Sequence, residues 1–92
     1  MRYEFKPSFD RSIKALPPHL GEEIKLACIV FIDTIESRLS LACGFGLKRL
    51  KDDYWEIRKG IKNRILFRWS RDLVEFILAG DHDTIKKFLR FR

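Results

Sequence analysis

Residues 53–69 read DYWEIRKGIKNRILFRW, and the architecture turns on them. Two runs rich in aromatic and β-branched residues, 54–59 and 63–69, flank the link GIK at 60–62. That is the pattern of a hairpin with a short glycine-containing turn. A third run, 73–79, follows the turn cluster SRD at 70–72. Side chains alternate faces along a strand, so parity sorts them. Trp55 and Ile57, then Ile65, Phe67 and Trp69, then Val74, Phe76 and Leu78 fall on one face, suited to lie against helices. The opposite face receives Tyr54, Glu56 and Arg58, then Arg64, Leu66 and Arg68. Three arginines therefore share the face that the helices leave open. They either dress a solvated surface or wait for an anion.

Upstream lies the material for those helices. Tyr3 and Phe5 alternate in MRYEFKPSF and stop at Pro7, as a short first strand does. Ser8 is placed to cap a short helix carrying Ile13 and Leu16, which Pro17 and Pro18 halt. From Leu20 the period changes to three and four residues: Leu20, Ile24, Ala27, Cys28, Phe31, Ile35 and Leu39. This predicts one long amphipathic helix, ended by CGFG at 43–46, whose glycines admit positive φ. His19 reads as a loop or first-turn residue. Helices on one side of a sheet define an α+β architecture.

Composition sets the limits. Ninety-two residues, 46% of them hydrophobic and with eight Phe, make one folded domain, 1–92. The longest apolar run, LACIVFI at 26–32, is far below the roughly 20 residues that span a bilayer, so no membrane partner is expected. MRYEFKPSFD shows no secretory h-region, and an intracellular, cytoplasmic setting follows. Cys28 and Cys43 have no metal-ligand or disulfide spacing, and Cys28 reads as a core residue. No metal or cofactor is expected. Charge is divided unevenly: residues 1–46 hold six Lys/Arg and six Asp/Glu, residues 47–92 thirteen against seven. The whole +6 thus lies in the second half, which points to a polyanion, nucleic acid before membrane.

The ordered motifs GLKRL at 46–50, WEIR at 55–58 and NRILF at 63–67, followed by FILAGDHDTIKKFL at 76–89, resemble the RelE/ParE superfamily of type II toxins. The likeness covers nearly the whole chain. It implies an antiparallel sheet with the two N-terminal helices on one face and a short C-terminal helix. It also implies a cognate antitoxin, hetero-oligomeric with the toxin, and mRNA in the 30S A site of the ribosome as substrate. In ribosome-dependent endoribonucleases of the superfamily, strand cations line the cleavage site. That places Arg58 and Arg64 there, nominates His82 in the turn GDHD, and puts Phe88 near an aromatic that stacks on substrate in several members. Where some relatives have Tyr, Phe88 has no hydroxyl, so only packing or stacking is open to it.

The chemistry is consistent with these residue types. Internal cleavage of RNA needs a base for the 2′-hydroxyl proton, an acid for the leaving 5′-oxygen and cations for the phosphorane. DNA lacks that hydroxyl. Arg58 and Arg64 can hold phosphate oxygens through charge-assisted forks, and as an imidazole His82 is a residue type suited to proton transfer. Glu56 is either a base or an ion-pair partner that orients an arginine. Asp83 reads as the cap of the last helix, with His82 otherwise a simple turn residue. Lys48, Lys51, Arg68 and Lys86 are candidate contacts to the RNA, or else solvated charges. Two other functions fit the same resemblance: a gyrase inhibitor without catalysis, and a noncatalytic relic that binds nucleic acid or antitoxin.

Overall fold

Trp55 pairs with Phe67 and Ile57 with Ile65 across the central hairpin, and alternation along these strands gives the sheet its two faces. The computed structural model describes residues 1–38, 44–58 and 63–90. In chain order they form β1 (Arg2–Phe5), α1 (Pro7–Lys14), α2 (Pro18–Glu36), β2 (Lys48–Lys51), β3 (Tyr54–Ile57), β4 (Arg64–Ser70), β5 (Leu73–Gly80) and α3 (His82–Arg90). The five strands make one sheet in the order β1-β5-β4-β3-β2. The hairpin link at 60–62 lies outside the described residues, as does Leu39; the long helix ends at Glu36 with Ser37 as its C-cap, earlier than the expected stop at 43–46. No helix among the described residues is long and apolar enough to cross a membrane.

The architecture is α+β, but the sheet is mixed rather than antiparallel throughout. β1 runs parallel to β5, with Tyr3 beside Val74 and Phe5 beside Phe76. Alternation identifies a strand and says nothing of its partner, so a first strand joining the last is invisible to periodicity. A further strand, β2, also appears where only an approach was read. KRLK is short and basic, yet Arg49 pairs with Trp55 and Lys48 with Glu56.

α1 and α2 cover one face. Phe9, Ile13, Ile24, Cys28 and Phe31 pack on Ile57, Ile65, Phe67, Val74, Phe76 and Ala79. Phe31 is fully buried, with its ring centroid 4.9 Å from that of Phe67. Trp55 and Trp69 reach this core only half-buried, at its margin. Burial pushes the Cys28 thiol up to about 12, in keeping with a core residue and not a reactive one. Pro7 occupies the first helical turn of α1, so Ser8 lies inside the helix and is not its cap. Its hydroxyl donates instead to the carbonyl of Ile77, and the Ser12 hydroxyl accepts from the N–H of Ala79 at 3.0 Å.

Those two bonds meet β5 at an irregularity. Phe67 pairs with Phe76 but Leu66 pairs with Leu78, leaving Ile77 as an extra residue. Such a bulge reverses parity beyond it. Val74 and Phe76 face the helices as alternation requires, whereas Leu78 turns to the other side. There Leu66, Ile77, Leu78 and Ile85 form a second, smaller core, with Leu50, Tyr54, Phe88 and Leu89 against it. α3 therefore roofs part of the face that was expected to stay open. Beside that roof Arg58 stays exposed and Arg64 partly exposed at one end of the sheet, and Arg68 is exposed at the other, while Glu56 is buried.

Candidate active site

Glu56 stands on β3 on the face away from α1 and α2, and it is 2% exposed. A carboxylate at that depth requires partners. It has two: Arg58 Nε lies 3.4 Å and Arg64 Nη1 3.6 Å from the same oxygen, Oε1. Arg58 follows β3 and donates its own N–H to the carbonyl of Phe45 at 2.9 Å, which fixes the backbone that carries the side chain. Parity holds along β3 and β4, so the structure brings Glu56, Arg58 and Arg64 together as their spacing implied.

His82 joins them from the other end of the chain. Arg64 pairs with Gly80 in the ladder, and α3 begins two residues later. A Cβ on Gly80 would stand 3.1 Å from Thr84 Cγ2, so glycine lets the first turn of α3 close onto the strand end. Asp81 holds that turn. Its Oδ1 accepts from both the Thr84 N–H and the Thr84 hydroxyl, each at 2.8 Å. These bonds hold the Asp81 carboxyl below its usual range. The cap is thus Asp81, not Asp83: the helix starts two residues earlier than expected, with His82 as its first residue.

Arg64 Nη1 lies 2.6 Å from His82 Nδ1. A guanidinium only donates, so Nδ1 must present its lone pair and the ring proton sits on Nε2. The contact therefore selects a tautomer: an imidazole whose free edge carries an N–H. Beside it is a hollow of about 210 Å³ lined by Leu50, Glu56, His82, Ile85, Lys86 and Leu89. Lys86 belongs here one helical turn after His82, and Lys48, exposed on β2, shares the face as the register partner of Glu56.

The remaining candidates stand elsewhere. Arg68 is at the far end of β4, its Nε 3.1 Å from Asp53 Oδ1 and its Nη1 3.8 Å from Glu75 Oε1. Two carboxylates, Asp53 in the turn before β3 and Glu75 on β5, already occupy that guanidinium. Parity assigned its face correctly and could not reveal its partners. Lys51 is exposed on β2 beside Tyr54, at the same far end. Phe88 packs edge-on against Tyr54, centroids 6.1 Å apart, within the smaller core. The residue that sequence reasoning missed is Asp81, although an Asp three positions before a Thr is a recognisable cap signal.

No protein-family model matches this sequence, and no curated protein matches it either. Solved structures do. The chain is similar to a RelE toxin from the RelB–RelE antitoxin–toxin complex of Methanococcus jannaschii, with 24% identity and a TM-score of 0.67 over 92% of this chain and 96% of that one. It is also similar to a copper-bound mutant toxin from Helicobacter pylori, with 15% identity and a TM-score of 0.60 over 92% and 98% of the two chains. Helices on one face of a five-stranded mixed sheet, with a short helix at its end, make this an α+β domain. The particular fold is that of RelE-like toxins.

Proposed function

We propose that this protein is the toxin of a type II toxin–antitoxin pair and a cytoplasmic, ribosome-dependent endoribonuclease that cuts mRNA in the 30S A site. The observation that carries the reading is Arg64 held between the buried Glu56 carboxylate and the Nδ1 of His82. Proton-transfer and charge-stabilising groups converge there beside a hollow, which a surface for binding alone does not require.

The roles follow from the geometry. The RNA 2′-oxygen attacks phosphorus, the bond to the 5′-oxygen breaks, and a 2′,3′-cyclic phosphate and a 5′-hydroxyl result. Arg58 and Arg64 face the phosphorane charge, where fixed donors are worth most. The N-terminus of α3 adds partial positive charge at the same place. In the tautomer that Arg64 selects, His82 donates its Nε2–H as a hydrogen bond to the phosphorane; it becomes the acid for the leaving 5′-oxygen once Arg64 turns to the phosphate and Nδ1 takes up a proton. Glu56, shared by two guanidinium groups, holds them in place, and the 2′-hydroxyl proton passes to water at the open side of the site. Lys48 and Lys86 lie beside the site and suit the flanking phosphates, while Phe88 and Arg68 support the fold. An antitoxin partner is part of the reading, since the M. jannaschii relative was solved as an antitoxin–toxin complex.

The test is to induce the chain alone in bacteria and map mRNA 5′ ends. New ends carrying 5′-hydroxyls within translated codons are expected. Growth arrest with intact mRNA and loss of negative supercoiling would point to gyrase instead.

A further inference from the structure

The outer face of α2 is apolar where a surface helix is ordinarily charged. Leu26, Ile29 and Val30 are 60%, 54% and 46% exposed, and their spacing puts them on one stripe. Phe5, 45% exposed on β1, extends the patch. Phe5, Phe9 and Ile29 wall a hollow of about 420 Å³ whose polar lining is Asp10 and Lys25. A contiguous patch of this kind marks an interaction surface, and anchors at i, i+3 and i+4 suit a helix laid along it.

Charge decides between occupants. In a chain of net charge +6, α2 carries Glu22, Glu23, Asp33 and Glu36 against one lysine, Lys25. Lys25 is already 3.8 Å from Glu22. A second copy packed antiparallel with Leu26 opposite Val30 would bring Glu23 against Asp33. A parallel copy would bring each acid against itself. Like charges in register oppose association, so a self-pair is disfavoured both ways.

We propose that this face receives an amphipathic helix of a protein partner, apolar along the facing stripe and bearing Lys or Arg at its flanks. The partner is the antitoxin of the pair, so the inference rests on the function proposed above. α2 lies on the opposite side of the sheet from Glu56, Arg58 and Arg64. A helix docked here anchors the antitoxin without covering the active site, and the two surfaces are separable by mutation.

The experiment uses the full chain and the product of the adjacent gene, with affinity measured by titration calorimetry. Leu26→Glu and Ile29→Glu are expected to weaken the complex at least tenfold, and Glu23→Lys with Asp33→Lys to weaken it further at low salt. All of these variants should still cut mRNA when expressed alone. Hydrogen exchange at 22–33 should slow in the wild-type complex. A wild-type complex with variant affinities unchanged and no protection at 22–33 overturns the inference alone. A free chain that dimerises, with Ile29→Glu dissolving the dimer, assigns the face to a second copy and overturns it too. If no adjacent product binds the wild type, the toxin–antitoxin reading falls and takes the inference with it.

Discussion

Arg64 and His82, eighteen residues apart in sequence, meet with Nη1 2.6 Å from Nδ1. The contact makes one residue dependent on the other. Arg64 fixes the imidazole tautomer, while the Asp81 cap and the short Gly80 side hold the imidazole within reach. The placement of His82 is therefore sensitive to Gly80 and Asp81 as well as to Arg64.

His82→Ala is expected to lower the cleavage rate by ~10²–10⁴, the usual worth of a positioned acid. His82→Gln keeps a hydrogen-bond partner for Arg64 but transfers no proton, and should not restore the rate. Single-turnover cleavage of a ribosome-bound message measures both. A glutamine variant as fast as the wild type would remove His82 from proton transfer.

Arg64 has a structural duty besides its chemical one. It offsets the charge of Glu56, which is 2% exposed, and a buried carboxylate stripped of a partner is costly. Arg58 remains in Arg64→Ala, so the fold should persist with a lowered melting temperature, which differs from the small effect typical of an exposed strand arginine. Arg64→Lys keeps the charge and loses the planar fork. It should melt close to wild type yet cleave ~10²–10³ more slowly, the scale for a lost transition-state donor. Wild-type cleavage by Arg64→Lys would show that charge alone suffices.

Much of this arrangement was legible in the residues. Period-two alternation over residues 54–57 and 64–69 put Glu56, Arg58 and Arg64 on one face, and the register confirms it at Glu56–Leu66 and Ile57–Ile65. Alternation failed at Leu78 because one inserted residue, Ile77, reverses the face and leaves no mark in the pattern. It failed for Arg68 in another way: the face was right, but Asp53 reaches it from the turn before β3 and Glu75 from β5. Strand partners are set by tertiary pairing, so neither those carboxylates nor the parallel union of β1 with β5 could be read from local sequence. The α3 cap slipped by two residues because Asp81 and Asp83 flank His82, and only the bonds to Thr84 tell them apart.

Asp81 makes the first turn of α3 sensitive to acid. Its folded pKa is lowered by the bonds from Thr84, its nearby charges adding less. A lowered carboxylate pKa contributes stability that is full above the unfolded value, ~3.9, and is lost as pH falls through the folded one. Amide exchange over 82–90 should therefore accelerate below about pH 4 relative to the sheet. Asp81→Ala should show that accelerated exchange already at neutral pH and lose cleavage activity with it, because His82 is then poorly placed. Identical exchange in wild type and variant would remove the cap from the account of the site.

Glu56 separates positioning from proton abstraction. Glu56→Gln conserves shape and an acceptor oxygen while removing the charge that both arginines share. If Glu56 only orients the guanidinium groups, the rate should fall by about tenfold or less, and the acidic limb of the pH–rate profile should keep its midpoint. If it accepts the 2′-hydroxyl proton, the loss should match that of His82→Ala, ~10²–10⁴, and the acidic limb should vanish with the titrating group. Oε1 is buried and already faces two guanidinium groups, which occupy the lone pairs an incoming proton would need. The mild loss with an unchanged midpoint is therefore the expected result. A vanished limb would transfer the base role to Glu56 and leave Arg58 and Arg64 held by a residue that also takes part in the reaction.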